Sequence, residues 1–300
     1  LAAKTKIVKQ MKVSGFTFIK NAQKFDYPVV EAITSILPIC DEFVVLAGDS
    51  EDNTKELIES IGSDKIKIYD SVWDHSLRTG GRLLAVETDK AKKLIDKKSD
   101  WAFYIQADEV LHEQYHESVF KAMHEHLLND RVEGLLFDYS HFYGSYDFVG
   151  DSRRWYPKEV RIIRNDPEIY SFRDAQGFQK NGKPLKVKHT GATMFHYGWV
   201  KPPEKQQAKQ KNFHSLWHND NWVNENVASV EKFDYSNIDS LSKFKGSHPA
   251  VMQSRVKKLN WEFDFDPSKK KLSLKHRFLH FIAKYTGWDI GRYKNYQLIK

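Results

Sequence analysis

Residues 100–112 read DWAFYIQADEVLH. From Trp101 to Ala107 the chain is apolar and aromatic, broken only by Gln106, and it carries straight into two adjacent carboxylates, Asp108 and Glu109. Such side chains favour burial, so the stretch reads as an inner strand. It ends either at a solvated turn or by delivering an acid to a site. The preceding segments bear on the choice. Residues 12–20 (KVSGFTFIK) alternate and then run apolar, as a strand does. In 27–39 (YPVVEAITSILPI), Val29, Val30, Ile33, Ile36 and Leu37 have helical spacing. Residues 42–48 (EFVVLAG) form a second, β-branched strand. Ser50 or Asp52 then caps a helix running to Ile61, stopped by Gly62. Residues 65–70 (KIKIYD) alternate as a third strand, and 82–98 (RLLAVETDKAKKLIDKK) form an amphipathic helix. With 101–107 as the fourth strand, this is the grammar of a parallel α/β sheet. Ligands in such sheets bind beyond the carboxyl ends of the strands, where Asp108 and Glu109 stand.

Past residue 120 the pattern changes. A helix over EQYHESVFKAMHEHLL places Val119, Phe120, Met123 and Leu127 on one face. EGLLFDYSHFYG and KEVRIIRN read as strands of a mixed extension, and 192–200 (ATMFHYGWV) as a short strand. PPEKQQAKQKNFHSLWH opens a helix behind its prolines. Hydrophobic residues at 40% supply a sizeable core, which excludes a disordered chain. The single cysteine, Cys40, excludes a disulfide framework or cysteine-based zinc site and fits a reducing compartment. No run approaches the roughly 18 apolar residues of a membrane span. The opening LAAKTKIVKQ has no signal-peptide core, so residues 1–11 are expected to be a short arm or an expression remnant. The net charge of +7 is concentrated in the tail. Residues 269–300 hold nine Lys/Arg against one acid, leaving the first 268 near −1. That distribution argues against a nucleic-acid groove, which draws basic residues from the folded body.

As a set, several motifs resemble the inverting family-2-type glycosyltransferases of GT-A fold. They are Asn21 after the first strand, Glu31-Ala32-Ile33-Thr34-Ser35-Ile36, Asp41–Val45, the Ser50/Asp52/Thr54 turn, and Trp101 followed by QADEV. VRIIRN and FHYGWV resemble the lipopolysaccharide-core branch, and the likeness spans about residues 12–215. It implies an α/β, GT-A-like Rossmann-type mixed sheet flanked by helices, with a helical basic C-terminal extension. It also implies a nucleotide-sugar donor, a glycan or lipid-linked acceptor, and a divalent cation (Mn or Mg) to stabilise the leaving diphosphate. The expected organisation is a catalytic domain over 12–225, with a donor half at 12–112 and an acceptor half at 113–225. The extension then occupies 226–300.

By the same resemblance Asp108 binds the metal and His196 completes its shell. His196 stands equally as a core-edge histidine among Phe195, Tyr197 and Trp199, and His189 competes with it. Gln106 replaces the first acid of the family's D-x-D. An inverting transfer needs a general base, which by the resemblance is a carboxylate; Asp174 in SFRDAQGF ranks ahead of Asp166 and Glu168, against an ordinary loop aspartate paired with Arg173. The donor-base acid falls at Ala47 or slips to Asp49, with Asp52 in register, and the family's Arg-Asn pair falls at Thr88-Asp89. Arg78 and Arg82, around Gly80-Gly81, are candidate diphosphate contacts, against an ordinary turn. Arg154 and Trp155, in the aromatic stretch 141–156, are candidate acceptor contacts.

Over 271–285 (KLSLKHRFLHFIAKY), Leu274, Phe278, Phe281, Ile282 and Tyr285 form an apolar stripe beside basic residues. Docking on the protein's own core is the expectation, with an anionic membrane surface as the minority reading. The enzyme would then be cytoplasmic, at the inner face of the membrane if the stripe binds there. The alternatives are a non-catalytic carbohydrate- or polyanion-binding protein, favoured by Gln106 and Ala47, and a nucleotidyltransferase. The latter wants glycines after the first strand that FIKNAQKF lacks.

Overall fold

The computed structural model describes residues 10–77, 79–227, 229–286 and 290–300. The first half runs β1 (Val13–Ile19), α1 (Val29–Ile36), β2 (Glu42–Gly48), α2 (Thr54–Glu59), β3 (Ile66–Ser71), α3 (Arg82–Lys93), β4 (Trp101–Tyr104) and β5 (Glu109–Leu111). The second half continues α4 (His116–Glu125), β6 (Gly134–Tyr143), β7 (Phe148–Gly150), β8 (Lys158–Arg164), β9 (Ile169–Phe172), β10 (Gly177–Lys180) and β11 (Lys183–Trp199). It closes with α5 (Pro203–Ser215), α6 (Asp220–Asn226), β12 (Leu241–Lys243), α7 (Gln253–Lys257), α8 (Leu274–Thr286) and β13 (Tyr296–Leu298).

Every residue of β2 is buried, because helices cover both faces of the sheet. Phe43 and Val45 pack with Val29, Ile33 and Ile36 of α1 and with Val119 and Met123 of α4. The alternate residues Val44 and Leu46 pack on the other face with Ala91 of α3. The sheet order is β3-β2-β1-β4-β8-β6-β11-β10-β9. Its first four strands are parallel, and β8 then runs antiparallel to both β4 and β6. From β1 the chain winds outward through β2 to β3, and α3 returns it to β4 on the opposite side of β1. Strand order therefore reverses between β1 and β4, and the carboxyl ends of these strands frame a crevice.

Several elements differ from the sequence expectation. The strand at 101–107 stops at Tyr104, because the next residues turn: Glu109 N donates to Gln106 O at 3.0 Å. The helix expected from Ser50 or Asp52 to Ile61 runs from Thr54 to Glu59; Ser50 serves the preceding loop, and Asp52 bonds the first helical residue. Ser50 Oγ accepts from Asn21 N (2.9 Å), and Asp52 Oδ1 accepts from Thr54 N (3.1 Å). The helix over 82–98 ends at Lys93, where Leu94 N turns back to Ala91 O. The short strand at 192–200 is the end of the 17-residue β11, whose first part buries Leu185 and Val187 beside β6 and β13. Phe120 points outward, leaving Val119, Ala122 and Met123 as the buried face of α4.

Between 226 and 300 the chain forms α7 and α8, together with two strands that join other elements, β12 on β7 and β13 on β11. Of the stripe expected to dock on the core, four residues face outward and Ile282 is half-buried. Leu274, Phe278, Phe281 and Tyr285 of α8 are 84%, 64%, 58% and 67% exposed, and none belongs to a core cluster. Among the described residues, no helix is long and apolar enough to cross a membrane.

Candidate active site

A cavity of about 400 Å³ opens at the β1/β4 crevice. Asn21 lines it from the end of β1, Gln106 and Asp108 from the turn after β4, Asp174 from the β9–β10 hairpin, His196 from β11 and Lys209 from α5.

The turn after β4 separates its two acids. Glu109 points inward, where Arg161 Nε and Nη2 donate to its two oxygens at 2.9 and 2.8 Å. The Tyr139 hydroxyl adds 2.7 Å and Gln106 N adds 3.1 Å. Glu109 and Arg161 are both essentially inaccessible to solvent. With its neighbour anchored, Asp108 faces the cavity, and its carbonyl accepts from Tyr197 N at 2.7 Å. Pairing of β5 with β11 sets His196 opposite Glu109, bringing His196 Nε2 to 3.7 Å from Asp108 Oδ2. Gly198 makes this possible: a Cβ there would lie 2.7 Å from both Asp108 Oδ2 and His196 Cε1.

Hydrogen-bond logic assigns the histidine tautomers. His141 Nε2 lies 2.7 Å from the Tyr156 carbonyl and must donate to it. Burial pushes His141 down to about 3, so it is neutral and its Nδ1 accepts. His196 Nδ1, at 3.2 Å, is then the donor, and His196 Nε2 presents a lone pair toward Asp108. His196 is also neutral, pushed down to about 4 by burial. Burial raises the Asp108 carboxyl, but the Lys209 ammonium outweighs it and holds the group well below the usual carboxylate range.

A divalent cation implied by the family resemblance would rest on Asp108 Oδ2 and His196 Nε2. Lys209 Nζ already sits 2.9 Å from that same oxygen and 2.9 Å from the Gly198 carbonyl. Both Glu109 oxygens are committed to Arg161, and Gln106 is a neutral amide. Among the described residues no group of three His, Cys, Asp or Glu side chains is placed to hold a metal. The residues do not fit a divalent cation. The Lys209 ammonium stands on the oxygen that the metal assignment to Asp108 and His196 would use.

Asp174 sits at the hairpin tip between Arg173 and Ala175, both in the left-handed region (φ 55° and 60°). Burial raises its carboxyl above the ordinary value, and among the described residues no other side chain hydrogen-bonds to it. The tip approaches closely because Gly81 has no side chain. A Cβ at Gly81 would lie 2.6 Å from Asp174 Cβ. Gln106 Nε2 donates to Ala175 O at 3.4 Å, a long contact that an aspartate in its place could not make.

Solved structures of two proteins align with parts of this chain. The crystal structure of S. aureus TarS aligns with a TM-score of 0.39 and 16% identity, over 68% of this chain and 39% of that one. S. aureus TarS 1–349 in complex with UDP-GlcNAc gives 0.41 and 15%, over 69% and 66%. Glucosyl-3-phosphoglycerate synthase from Mycobacterium tuberculosis, in complex with Mn2+, UDP and phosphoglyceric acid, gives 0.29 and 16%, over 44% and 43%. The chain thus spans 39% of the length of TarS and 66% of TarS 1–349. No protein-family model matches the chain, and no curated protein matches it.

The remaining sequence candidates fall around the cavity or away from it. Asn21 Oδ1 accepts from Glu51 N (2.8 Å), latching the loop after β2 to the end of β1. Asp49 pairs with Lys20 Nζ at 2.8 Å and accepts from Trp73 N at 3.2 Å; Lys20 and Trp73 line the cavity, whereas Asp49 does not. Asp52 is occupied by Thr54 and by Lys24 N (2.6 Å). Arg82 is exposed at the start of α3, and Arg78 lies outside the described residues. In place of the family's Arg-Asn pair, Thr88 bonds to Leu84 O (2.8 Å) and Asp89 accepts from Ser171 N (2.8 Å). His189 lies against Asp138 (3.1 Å), away from the cavity.

Trp155 is not an open acceptor platform. It is buried, stacked on His141 at 5.2 Å, and only Arg154 beside it is exposed. Lys209, Tyr156 and His141 were not singled out from the sequence. Lys209 stands in a helix with Lys205 and Lys211, and nothing local distinguishes it from its solvated neighbours.

Proposed function

We propose that the chain is a GT-A-type glycosyltransferase moving a sugar from a nucleoside-diphosphate donor to a hydroxyl acceptor with inversion. The observation that carries this reading is convergence. Asn21, Gln106 with Asp108, Asp174 and His196 come from four separated segments, each singled out by the glycosyltransferase resemblance, and all line one cavity at the strand-order reversal. In the proposed step the acceptor O–H gives its proton to the Asp174 carboxylate, and the oxygen attacks the anomeric carbon. The bond from that carbon to the β-phosphate oxygen breaks, and its electron pair leaves with the nucleoside diphosphate. Gln106 supports the base by bonding the hairpin that carries it.

The test is turnover of UDP-, GDP- and CDP-sugars by the full chain without added acceptor. One donor is expected to be hydrolysed slowly to free sugar and its nucleoside diphosphate. Absence of turnover with all three, together with no calorimetric binding of UDP, GDP or CDP at millimolar concentration, would overturn the reading in favour of a non-catalytic module.

The exposed stripe of α8 favours a lipid-linked acceptor. Leu274, Phe278 and Phe281 stand beside Lys275, His276 and Arg277, a combination that suits an anionic leaflet. The chain is expected to cosediment with phosphatidylglycerol vesicles and not with phosphatidylcholine vesicles. Phe278→Glu with Phe281→Glu should release it, and equal binding to both lipids, or retention by the double variant, would count against the assignment.

A further inference from the structure

The position of Lys209 carries an inference that rests on the glycosyltransferase reading and deepens it. In any transfer of this kind the diphosphate gains a negative charge as the glycosidic bond breaks, and something positive must face it. Two side-chain donors that could share a cation, Asp108 Oδ2 and His196 Nε2, lie 3.7 Å apart at the cavity wall. The cation already associated with that oxygen is an ammonium of the protein itself. Lys209 Nζ donates to Asp108 Oδ2 and to the Gly198 carbonyl, each at 2.9 Å.

This ammonium is built in. Its side chain is only 12% exposed. It also lies 5.0 Å from the centre of the Tyr27 ring, which adds a cation–π contact. A buried charge persists only when paired and hydrogen-bonded, and both conditions are met here. An ammonium has three donors. Two are committed to Asp108 and Gly198, leaving one for an anion in the cavity that Lys209 lines. A Mg²⁺ or Mn²⁺ on Asp108 would sit about 2.0–2.2 Å from its oxygen, against the same ammonium, and two cations there repel. Burial lowers the Lys209 pKa, but Asp108 and Tyr27 outweigh it, so the group stays charged. Gln106 points the same way: the position where an acid would add negative charge for a metal carries a neutral amide.

We propose that the Lys209 ammonium supplies the positive charge that faces the leaving diphosphate, so that donor binding and transfer do not depend on a divalent cation. Asp108 then orients the ammonium and does not act as a metal ligand.

The test is calorimetric titration of the full chain with UDP, GDP and CDP, each in EDTA and in MnCl₂, followed by donor hydrolysis in the same buffers. The nucleotide that binds is expected to do so with Kd values within about threefold of each other in the two buffers, a difference of under about 1 kcal/mol. Lys209→Met, which keeps the length and removes the charge, should weaken binding in EDTA by about tenfold or more, the scale of one charge-assisted contact. MnCl₂ should recover part of that loss, because Asp108 and His196 are then free to share the ion. Lys209→Arg should retain more affinity than Lys209→Met, and circular dichroism melts establish that each variant is folded.

Wild-type binding or turnover that requires MnCl₂ would overturn the inference while leaving the glycosyltransferase reading intact, and this comparison needs no variant. Folded Lys209→Met binding as tightly as wild type in EDTA would also overturn it. Failure of all three nucleotides in both buffers, with no donor hydrolysis, removes the glycosyltransferase reading and this inference with it.

Discussion

Asp174→Asn is expected to lower glycosyl transfer by about 10²–10⁴-fold, the usual contribution of a positioned general base. Nucleoside-diphosphate binding should stay close to wild type, because under the proposed roles the diphosphate faces Lys209 and not the hairpin. The substitution is isosteric and removes only the ability to take the acceptor proton. Its stability readout separates catalysis from architecture. Burial raises the Asp174 carboxyl above its ordinary value, so the folded state disfavours the charged form. The sign follows from linkage. A carboxyl with a raised folded pKa costs stability once the pH exceeds its unfolded value, and that cost is fully present above the folded value. Asparagine removes it, so the variant should melt higher than wild type at neutral pH while losing activity. A structural aspartate would give the opposite change in melting. The acid limb of the wild-type kcat/KM profile should lie above the ordinary carboxylate range. An unchanged rate in Asp174→Asn would reassign the base.

The parallel half of the sheet was legible because its signals are local. Alternation in β3, the apolar run of β2 and the helical spacing of Val29, Ile33 and Ile36 report burial directly. That Asp108 stands at a strand end in the crevice followed from this grammar. What separates Asp108 from Glu109 was not legible, since Glu109 is withdrawn by Arg161, 52 residues onward. Lys209 is 101 residues from Asp108 and sits among similar lysines, so its partner is visible only in three dimensions. Trp155 shows the same limit: an aromatic run reads alike as a sugar platform or as core. The stripe of α8 has one periodicity whether it docks or stays open, and only the exposure of Phe278 and Phe281 decides. Asp52 and Asn21 lie where the resemblance puts a donor grip, yet their side chains bond loop backbone.

Glu109→Ala is expected to destabilise the fold by about 3–5 kcal/mol, the cost of stripping one partner from a buried ion pair. That is a large share of the roughly 5–15 kcal/mol by which native proteins are stable. The magnitude follows from what remains behind. Arg161 would keep its charge with almost no access to solvent and would lose both carboxylate contacts, and the Tyr139 hydroxyl would lose its acceptor. The turn would also lose the bond from Gln106 N to the Glu109 carboxylate, so Asp108 should lose its aim and nucleotide affinity should fall with stability. Urea unfolding measures the first effect and calorimetry the second. The double variant Glu109→Met with Arg161→Met discriminates further. Removing both charges for apolar groups of similar volume should recover much of the lost stability, because the penalty comes from the unpaired guanidinium. Recovery of stability without recovery of nucleotide binding would place the role of Glu109 in aiming the turn. A single-variant loss under about 1 kcal/mol would show that water reaches Arg161 and that the pair does not anchor the site.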